Sequence, residues 1–218
     1  LDKNLSFNLD PYNKAITKEL EAFGFVATVD TKIKQSRSDI KSAFIKAESK
    51  TQLITIQAPN DIIKSMHHMQ TMKIKMEVDA NPPGSFNTDT KFLLLPIPFS
   101  VKSFTESDLF AGKIHALLCR PWVSRIKGRD WYDFVWYISR NIPVNLLHLQ
   151  ARLVQSDAWN ELDTLHQRDL LNLLTQKIKT IDFSKAKDDI APFIKDAASI
   201  DVWSKDFFQA ILKKLKAV

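Results

Sequence analysis

The sequence predicts an α+β fold in which a mixed, mostly antiparallel sheet with a flanking helix precedes a C-terminal helical domain. Several short runs between residues 25 and 79 are rich in β-forming residues or alternate apolar and polar side chains. From Glu106 onward, apolar residues recur at the spacing of an α-helix. The 218 residues include only 4 glycines, which argues against a turn-rich all-β fold and a glycine-rich phosphate loop. We therefore expect an α/β domain at residues 1–101 and an α-helical domain at residues 102–218.

The composition is that of a globular protein with a mildly basic surface. Hydrophobic residues make up 44% of the chain and include 14 Phe, enough to fill a sizeable core. The net charge of +6 suits nucleotides or nucleic acid, but ordinary cytosolic proteins are often as basic. The single cysteine, Cys119, excludes an internal disulfide and fits a reducing compartment. No secretory signal and no apolar run of about 18 residues is present, so we expect a cytoplasmic protein that does not span a membrane.

The first predicted element is a helix that begins at Asp10. Asp is a good N-cap, and the proline that follows it is favoured in the first helical turn. Tyr12, Ile16 and Leu20 recur at helical spacing and form one apolar stripe. Gly24 is suited to the left-handed conformation that ends many helices, so we expect the helix to stop there.

Three β-like runs follow, and they are predicted to form antiparallel strands of a sheet with one covered face. They are Phe25–Lys34, Ser42–Ala47 and Leu53–Gln57. A basic connection joins the first two runs. It could contact a phosphate backbone, or it could be a solvated hairpin.

The sharpest strand signal is Met72–Asp79, where apolar residues alternate with Lys, Glu and Asp until two prolines stop the ladder. One interpretation is an edge strand with a solvated, charged face. The other is a catalytic strand, because Glu77 and Asp79 lie on one face about 6.5–7 Å apart, close to Lys75. Carboxylates beside a lysine suit Mg²⁺ and phosphate, since the hard cation takes oxygen ligands and the ammonium neutralises phosphate charge. Lys91–Val101, interrupted by two prolines, is predicted to be a buried strand followed by a linker.

A helix is predicted from Glu106, capped by Ser107 or Asp108 and ended or kinked by Pro121. Lys113 and Arg120 project in similar directions from this helix, with the small residue Ala116 between them leaving room for a ligand. Its buried stripe consists of Phe110, Ile114, Leu117 and Leu118.

A basic turn, Lys127-Gly128-Arg129, is predicted to lead into a second helix at Asp130–Ser139. Asp130 and Asp133 lie on one face of this helix, although Asp130 could simply complement the helix dipole. Further helices are predicted at Asn145–Gln155, Asp157–Lys179, Ile190–Ala197 and Trp203–Ala217.

Three motifs, spaced and ordered in the same way, resemble the AbiEii-type nucleotidyltransferase toxin family. They are KIKMEVDANPP at residues 73–83, LFAGKIHALLCR at residues 109–120 and KGRDWYDFVWYI at residues 127–138. The likeness extends from the Asp10 helix to beyond Ile142. It implies a nucleotidyltransferase-like sheet of the DNA-polymerase-β type, and a toxin of a toxin–antitoxin or phage-defence system.

The resemblance implies a role for each matching residue. Asp79 would be a catalytic base or a metal-side carboxylate, with Glu77 as a further metal ligand and Lys75 on phosphate. Lys113 and Arg120 would face the nucleoside triphosphate. In the third motif, Asp130 would be catalytic, Lys127 and Arg129 would contact phosphate, and Asp133 would hold the helix or its cations in place.

The activity that the resemblance implies is Mg²⁺-dependent transfer of a nucleoside monophosphate from an NTP to an RNA acceptor such as tRNA. The partners would be the NTP, the RNA and a cognate antitoxin. However, the family also carries a Gly-Gly-Ser/Thr helix cap and an Asp-x-Asp strand, and neither occurs before the Asp10 helix. A two-metal mechanism needs carboxylates on both sides of the metals. We therefore expect the α/β domain to be partial and the 218-residue chain to be inactive alone, although its parent protein would be a transferase.

Two other functions remain open at this stage. The chain could be a non-catalytic relative that binds a nucleotide, RNA or an antitoxin. It could also be a metal-dependent nuclease that uses Lys75, Glu77 and Asp79. The order of these residues does not match the usual nuclease arrangement, in which the lysine follows the acid.

Overall fold

A computed structural model describes residues 10–23, 26–31, 49–57, 71–79, 81–121 and 126–218. For residues 26–31, 49–57 and 71–78 it describes the backbone. The described residues fall into two compact units, one ending at Pro82 and the other beginning at Pro83. The predicted α+β class is confirmed, whereas the predicted domain boundary after residue 101 stays a prediction.

The described residues of the first unit form one helix and three strands. The helix is α1 (Asp10–Ala22), which confirms the predicted start at Asp10; Gly24 lies outside the described residues. The strands are β1 (Val26–Thr31), β2 (Ser49–Gln57) and β3 (Thr71–Asp79), ordered β1-β2-β3 and antiparallel throughout. The predicted strand at Ser42–Ala47 also lies outside the described residues.

The motif strand β3 pairs only with β2 among the described strands, and therefore lies at an edge of this sheet. In the register, Lys75 is opposite Leu53, Glu77 is opposite Thr51 and Asp79 is opposite Ser49. An edge position agrees with either interpretation of the strand, since a catalytic edge and a solvated edge have the same pairing.

The second unit begins with an exposed hairpin rather than the predicted buried strand and linker at Lys91–Val101. Strand β4 (Thr88–Leu93) pairs antiparallel with β5 (Phe99–Phe104), and every residue of β4 is exposed. The two prolines that interrupt the run, Pro96 and Pro98, fall in the connection, so the chain folds back on itself. The prediction was wrong because an apolar run identifies a strand but does not show which element covers it.

Six α-helices complete the described part of the second unit, and they differ from the predicted ones mainly at their ends. The segment 157–166 is not helical, because Asp157 adopts a positive φ of 56° and α5 starts only after its N-cap, His166. The helix predicted at Ile190–Ala197 is instead the end of α6 followed by a short 3₁₀ turn at Ala191–Phe193. The helices are α2 (Glu106–Cys119), α3 (Gly128–Ser139), α4 (Leu146–Gln155), α5 (Gln167–Thr180), α6 (Phe183–Ile190) and α7 (Lys205–Leu212).

The core of this unit is aromatic and centres on α3. Trp131 packs edge-on against Phe208 at 4.9 Å between ring centroids, and Phe110 stacks on Tyr137 at 4.5 Å. Of the predicted stripe on α2, Phe110, Ile114 and Leu117 are fully buried, whereas Leu118 is partly buried. Burying a side chain of this size stabilises the fold by about 1.5–3 kcal/mol, so α2 and α3 are held firmly together.

Gly128 sets the distance between α3 and α6. A Cβ atom at this position would lie 1.9 Å from the carbonyl oxygen of Ala186 and 2.9 Å from Cβ of Ile190. The Gly128 backbone N–H also donates to Asp189 Oδ2 at 2.9 Å. Only glycine allows this close approach. Within the described part of the chain, no helix has the length and apolar character needed to cross a membrane.

Candidate functional site

Helices α2 and α3 bring four of the predicted site residues together as two ion pairs. Lys113 Nζ lies 2.6 Å from Asp133 Oδ2. Two turns further along α2, the Arg120 guanidinium donates to Asp130 Oδ2. The later residue of α2 meets the earlier residue of α3, so the two helices run antiparallel along a shared charged edge.

The Arg120–Asp130 pair is largely buried on its acidic side. Asp130 is only 3% exposed, in the first turn of α3, where a negative charge also complements the helix dipole. Arg120 is the C-cap residue of α2, and its side chain is 30% exposed. A buried carboxylate bonded to a guanidinium contacts substrate poorly, so this geometry favours an orienting role in which Asp130 aims Arg120. The direct catalytic role predicted for Asp130 stays a prediction.

The Lys113–Asp133 pair is more open. The side chains are 43% and 33% exposed, respectively. Such a pair contributes about 0–1 kcal/mol to stability, because water and salt screen it. Lys113 can therefore exchange Asp133 for a phosphate at little cost. This agrees with the predicted task of Asp133, which is to hold a cation in place.

The predicted basic turn is mostly helix. Lys127 is the N-cap of α3, while Gly128 and Arg129 belong to its first turn. The prediction placed the helix start at Asp130, two residues late. Gly128 lies inside the helix because of its close contact with α6. Arg129 is exposed, and Lys127 is half-buried.

Helix α2 is capped by Thr105. The sequence pattern predicted Ser107 or Asp108 as the cap, and that prediction was wrong. The Asp108 backbone N–H donates to Thr105 Oγ1 at 3.4 Å, and the Thr105 hydroxyl donates back to Asp108 Oδ2. Asp108 is the third residue of the helix and is 1% exposed. The sequence stretch Thr-Glu-Ser-Asp carries this capping signal, which we assigned to the wrong residue.

The other motif residues belong to the first unit. Lys75 and Glu77 lie within β3, and Asp79 is its last residue. Asp79 is exposed, and its Oδ1 accepts a hydrogen bond of 3.0 Å from the Asn81 backbone N–H. Among the described residues, no group of three or more His, Cys, Asp or Glu side chains is arranged to hold a metal ion.

A buried polar cluster that the sequence analysis missed fastens the segment 84–87 to the helices. His148, which is fully buried, donates from Nδ1 to the Gly84 carbonyl at 2.8 Å and accepts at Nε2 from Arg152 Nε at 2.9 Å. Asn145 Nδ2 donates to Asp108 Oδ1 at 2.7 Å, and the Asn87 N–H donates to Asp108 Oδ2 at 3.0 Å. An Asn N-cap followed three residues later by a histidine between leucines could have signalled this cluster.

Burial keeps two histidines of this unit neutral. The pKa of His148 is lowered because its ring is desolvated, although the bond to the Gly84 carbonyl partly opposes the shift. Burial lowers the pKa of His115 to about 4, and the guanidiniums of Arg152 and Arg120 add to the effect. His115 Nε2 lies 3.0 Å from Ser156 Oγ. At neutral pH, the positive charge near α2 therefore comes from lysine and arginine and not from histidine.

A cavity of about 410 Å³ lies between the ends of α2 and α4 and helix α5, and none of the predicted site residues lines it. Lys177 Nζ donates to the Leu118 carbonyl at 3.1 Å, and burial lowers the pKa of Lys177. Burial raises the pKa of the Cys119 thiol. A protonated thiol is a poor nucleophile, so nothing in this cavity indicates cysteine chemistry.

Comparison with known proteins adds one match that covers nearly the whole chain. The model of the family described as "Nucleotidyl transferase AbiEii toxin, Type IV TA system" matches residues 1–213. Comparisons with curated proteins and with solved structures gave no significant match. The matched range contains every motif residue described above, the first unit, and all but the last five residues of the second unit.

Proposed function

We propose that the chain, which belongs to the AbiEii nucleotidyltransferase toxin family of type IV toxin–antitoxin systems, forms part of a Mg²⁺-dependent enzyme. This enzyme transfers a nucleoside monophosphate from an NTP to an RNA acceptor, with tRNA as the expected class. We also propose that this enzyme acts in the cytoplasm, has a cognate antitoxin and takes part in phage defence.

The observation that carries this proposal is the charged edge shared by α2 and α3. Lys113 and Arg120 are seven residues apart, about 10.5 Å along one helix, and each is paired with a carboxylate of α3. A triphosphate is a chain of negative charges, so a row of cations held in advance stabilises it without reorganisation. The paired acids keep the cations in position when the site is empty.

The proposed reaction is in-line attack of an RNA hydroxyl on the α-phosphate, with pyrophosphate as the leaving group. Lys113, Arg120 and Arg129 offset charge on the phosphates, and Asp130 keeps Arg120 oriented. Asp79 and Glu77 are oxygen donors of the kind that Mg²⁺ prefers. The ion, when bound, lowers the pKa of the attacking hydroxyl and stabilises the leaving oxygens.

A second candidate function is binding without catalysis. Residues 1–9 hold no Asp-x-Asp pair, and the mechanism needs such a pair opposite Asp79. A chain that lacked this pair could still bind nucleotide, RNA or an antitoxin through the same charged edge.

The deciding experiment measures incorporation of labelled NTPs into tRNA by the complete gene product and by the 218-residue chain. We expect Mg²⁺-dependent incorporation by the former, none by the latter, and a loss of at least about 100-fold for Asp79→Asn in the complete protein. Asp201→Asn, at an exposed position in another part of the fold, is the matched control.

No incorporation by the complete gene product, with RNA or antitoxin still bound, would establish the second function. Full activity of Asp79→Asn would remove Asp79 from the site.

A further inference from the structure

The solvent-facing side of α3 has an unusual composition. Its exposed positions include Arg129, Tyr132 and Trp136, and Arg140 follows as the exposed C-cap residue. The spacings of three, four and four residues place all four on one stripe. Tyr132 is 40% exposed and Trp136 is 37% exposed. We call these four residues the α3 stripe.

Packing does not explain the two exposed aromatic residues. The inner side of α3 already buries Trp131, Phe134 and Tyr137 in the core. Trp136 lies against the edge of Tyr137 at 4.8 Å, and the Arg140 guanidinium lies 4.3 Å from the centre of the Trp136 ring. The indole is thus held in one orientation while more than a third of it faces solvent.

The charge of the α3 stripe is positive. The two acids of the helix are engaged elsewhere, Asp130 with Arg120 and Asp133 with Lys113. No ion pair within the described part of the chain includes Arg129 or Arg140. Two aromatic rings flanked by two arginines therefore face solvent without a compensating carboxylate on the stripe.

We propose that the α3 stripe binds single-stranded RNA, with bases stacked on Tyr132 and Trp136 and phosphates held by Arg129 and Arg140. Stacking on aromatic side chains together with arginine contacts is how proteins bind single strands without reading their sequence. From Arg129 to Arg140 the stripe spans about 16 Å, room for roughly three to five nucleotides. That the bound strand is the acceptor rests on the proposed function; the binding itself does not.

The alternative occupant is a protein such as the antitoxin, since Trp, Tyr and Arg are also frequent hot-spot residues of protein interfaces. The charge of the stripe favours RNA. Its two ionic side chains, Arg129 and Arg140, are both positive, and the two acids of α3 are paired with Lys113 and Arg120.

The test is the anisotropy of a short, unstructured, fluorescein-labelled RNA titrated with the full chain, without NTP or Mg²⁺. We expect Tyr132→Ser and Trp136→Leu each to weaken binding roughly tenfold, through the loss of one stacked base. Tyr132→Phe and Trp136→Phe keep a ring and should restore most of the affinity. Arg140→Gln should reduce the slope of log affinity against log salt by about 1. Phe193→Ser and Arg168→Gln change exposed residues outside the stripe and should leave both quantities unaltered.

A second readout follows Trp136 itself. RNA should quench part of the intrinsic fluorescence of the wild-type chain, and this quenching should disappear in Trp136→Phe even though that variant still binds. Wild-type affinity and salt slope in the variant Tyr132→Ser/Trp136→Leu/Arg140→Gln would overturn the proposal. So would loss of antitoxin binding by that variant with RNA binding unchanged, which would assign the surface to the protein. If the stripe binds RNA and the complete gene product transfers no nucleotide, the proposed function is wrong, but the assignment of RNA binding to the α3 stripe is retained.

Discussion

The two ion pairs between α2 and α3 join the same kinds of residue on the same two helices, but they differ in burial. Arg120–Asp130 lies at the first turn of α3, the turn whose Gly128 contacts α6, and its acid is almost fully covered. Lys113–Asp133 lies in the open, with both side chains at least a third exposed. A buried charge loses water and depends on its partner, whereas an exposed charge keeps water as a substitute. The first pair is thus suited to orienting a group and the second to releasing one.

The largest expected effect comes from breaking the buried pair. Asp130→Asn removes the charge that compensates Arg120, and we expect a loss of about 2–3 kcal/mol in the free energy of unfolding. This is less than the 3–5 kcal/mol of fully buried pairs, because Arg120 is still 30% exposed. Urea denaturation of the full chain measures it. The double variant Arg120→Met/Asp130→Leu should regain part of the loss, and an unchanged unfolding free energy in Asp130→Asn would show that the pair contributes nothing.

A second effect, which stays smaller than that of Asp130→Asn above about pH 5, is expected from acid, and it sharpens the contrast between the interior and the open edge of α2. The pKa of His115 falls from 6.5 to about 4 on folding, so the unfolded chain binds the extra proton first. Stability should therefore fall as the pH drops from about 6.5 towards 4, with a slope of up to about 1.4 kcal/mol per pH unit from this group. Above pH 6.5 this contribution is constant.

The measurement for His115 is the difference in unfolding free energy between the wild type and His115→Gln across this range. The difference isolates His115 from carboxylates that titrate at the same time. His148, whose pKa is also lowered, contributes a slope of the same sign in both proteins. Parallel stability curves for the two proteins would show that His115 is not held neutral by the fold.

The smallest effect on stability is expected at the open pair. Lys113→Met should change the free energy of unfolding by less than about 1 kcal/mol, because the pair it breaks is screened by water. If Lys113 contacts the triphosphate, nucleotide transfer by the complete gene product should nevertheless fall at least about tenfold. Lys205→Met, on an exposed residue of α7, is the control. A stability loss as large as that of Asp130→Asn would erase the difference between the two pairs.

The helical spacing in the sequence was sufficient to place Lys113 and Arg120 on one side of α2. It was also sufficient to predict the start of α2 at Glu106, although the residue that caps this helix was assigned wrongly. It was not sufficient to match each cation with its acid, because that depends on the crossing of two helices. The role of Gly128 was missed for the same reason: it depends on a backbone atom of α6, distant in sequence.

The clearest failure concerns apolar residues. The run at Lys91–Val101 was expected to contain a buried strand. The hairpin is instead exposed, with Leu95 at 81%. The apolar stripe of α2, by contrast, is covered as expected. Periodicity shows which residues share a face, and packing decides whether that face is covered.

The sequence by itself determined the family, the α+β class and the identity of the motif residues, because these depend on residue types at short spacing. The tertiary structure alone decided that Asp130 is buried against Arg120 while Asp133 stays open beside Lys113. It also decided that Tyr132 and Trp136 face solvent while Trp131 fills the core, although all three stand within six residues of each other. The physical reason is that burial is a property of the neighbours that a side chain meets. Those neighbours come from α2, α6 and α7, which only the folded chain brings together.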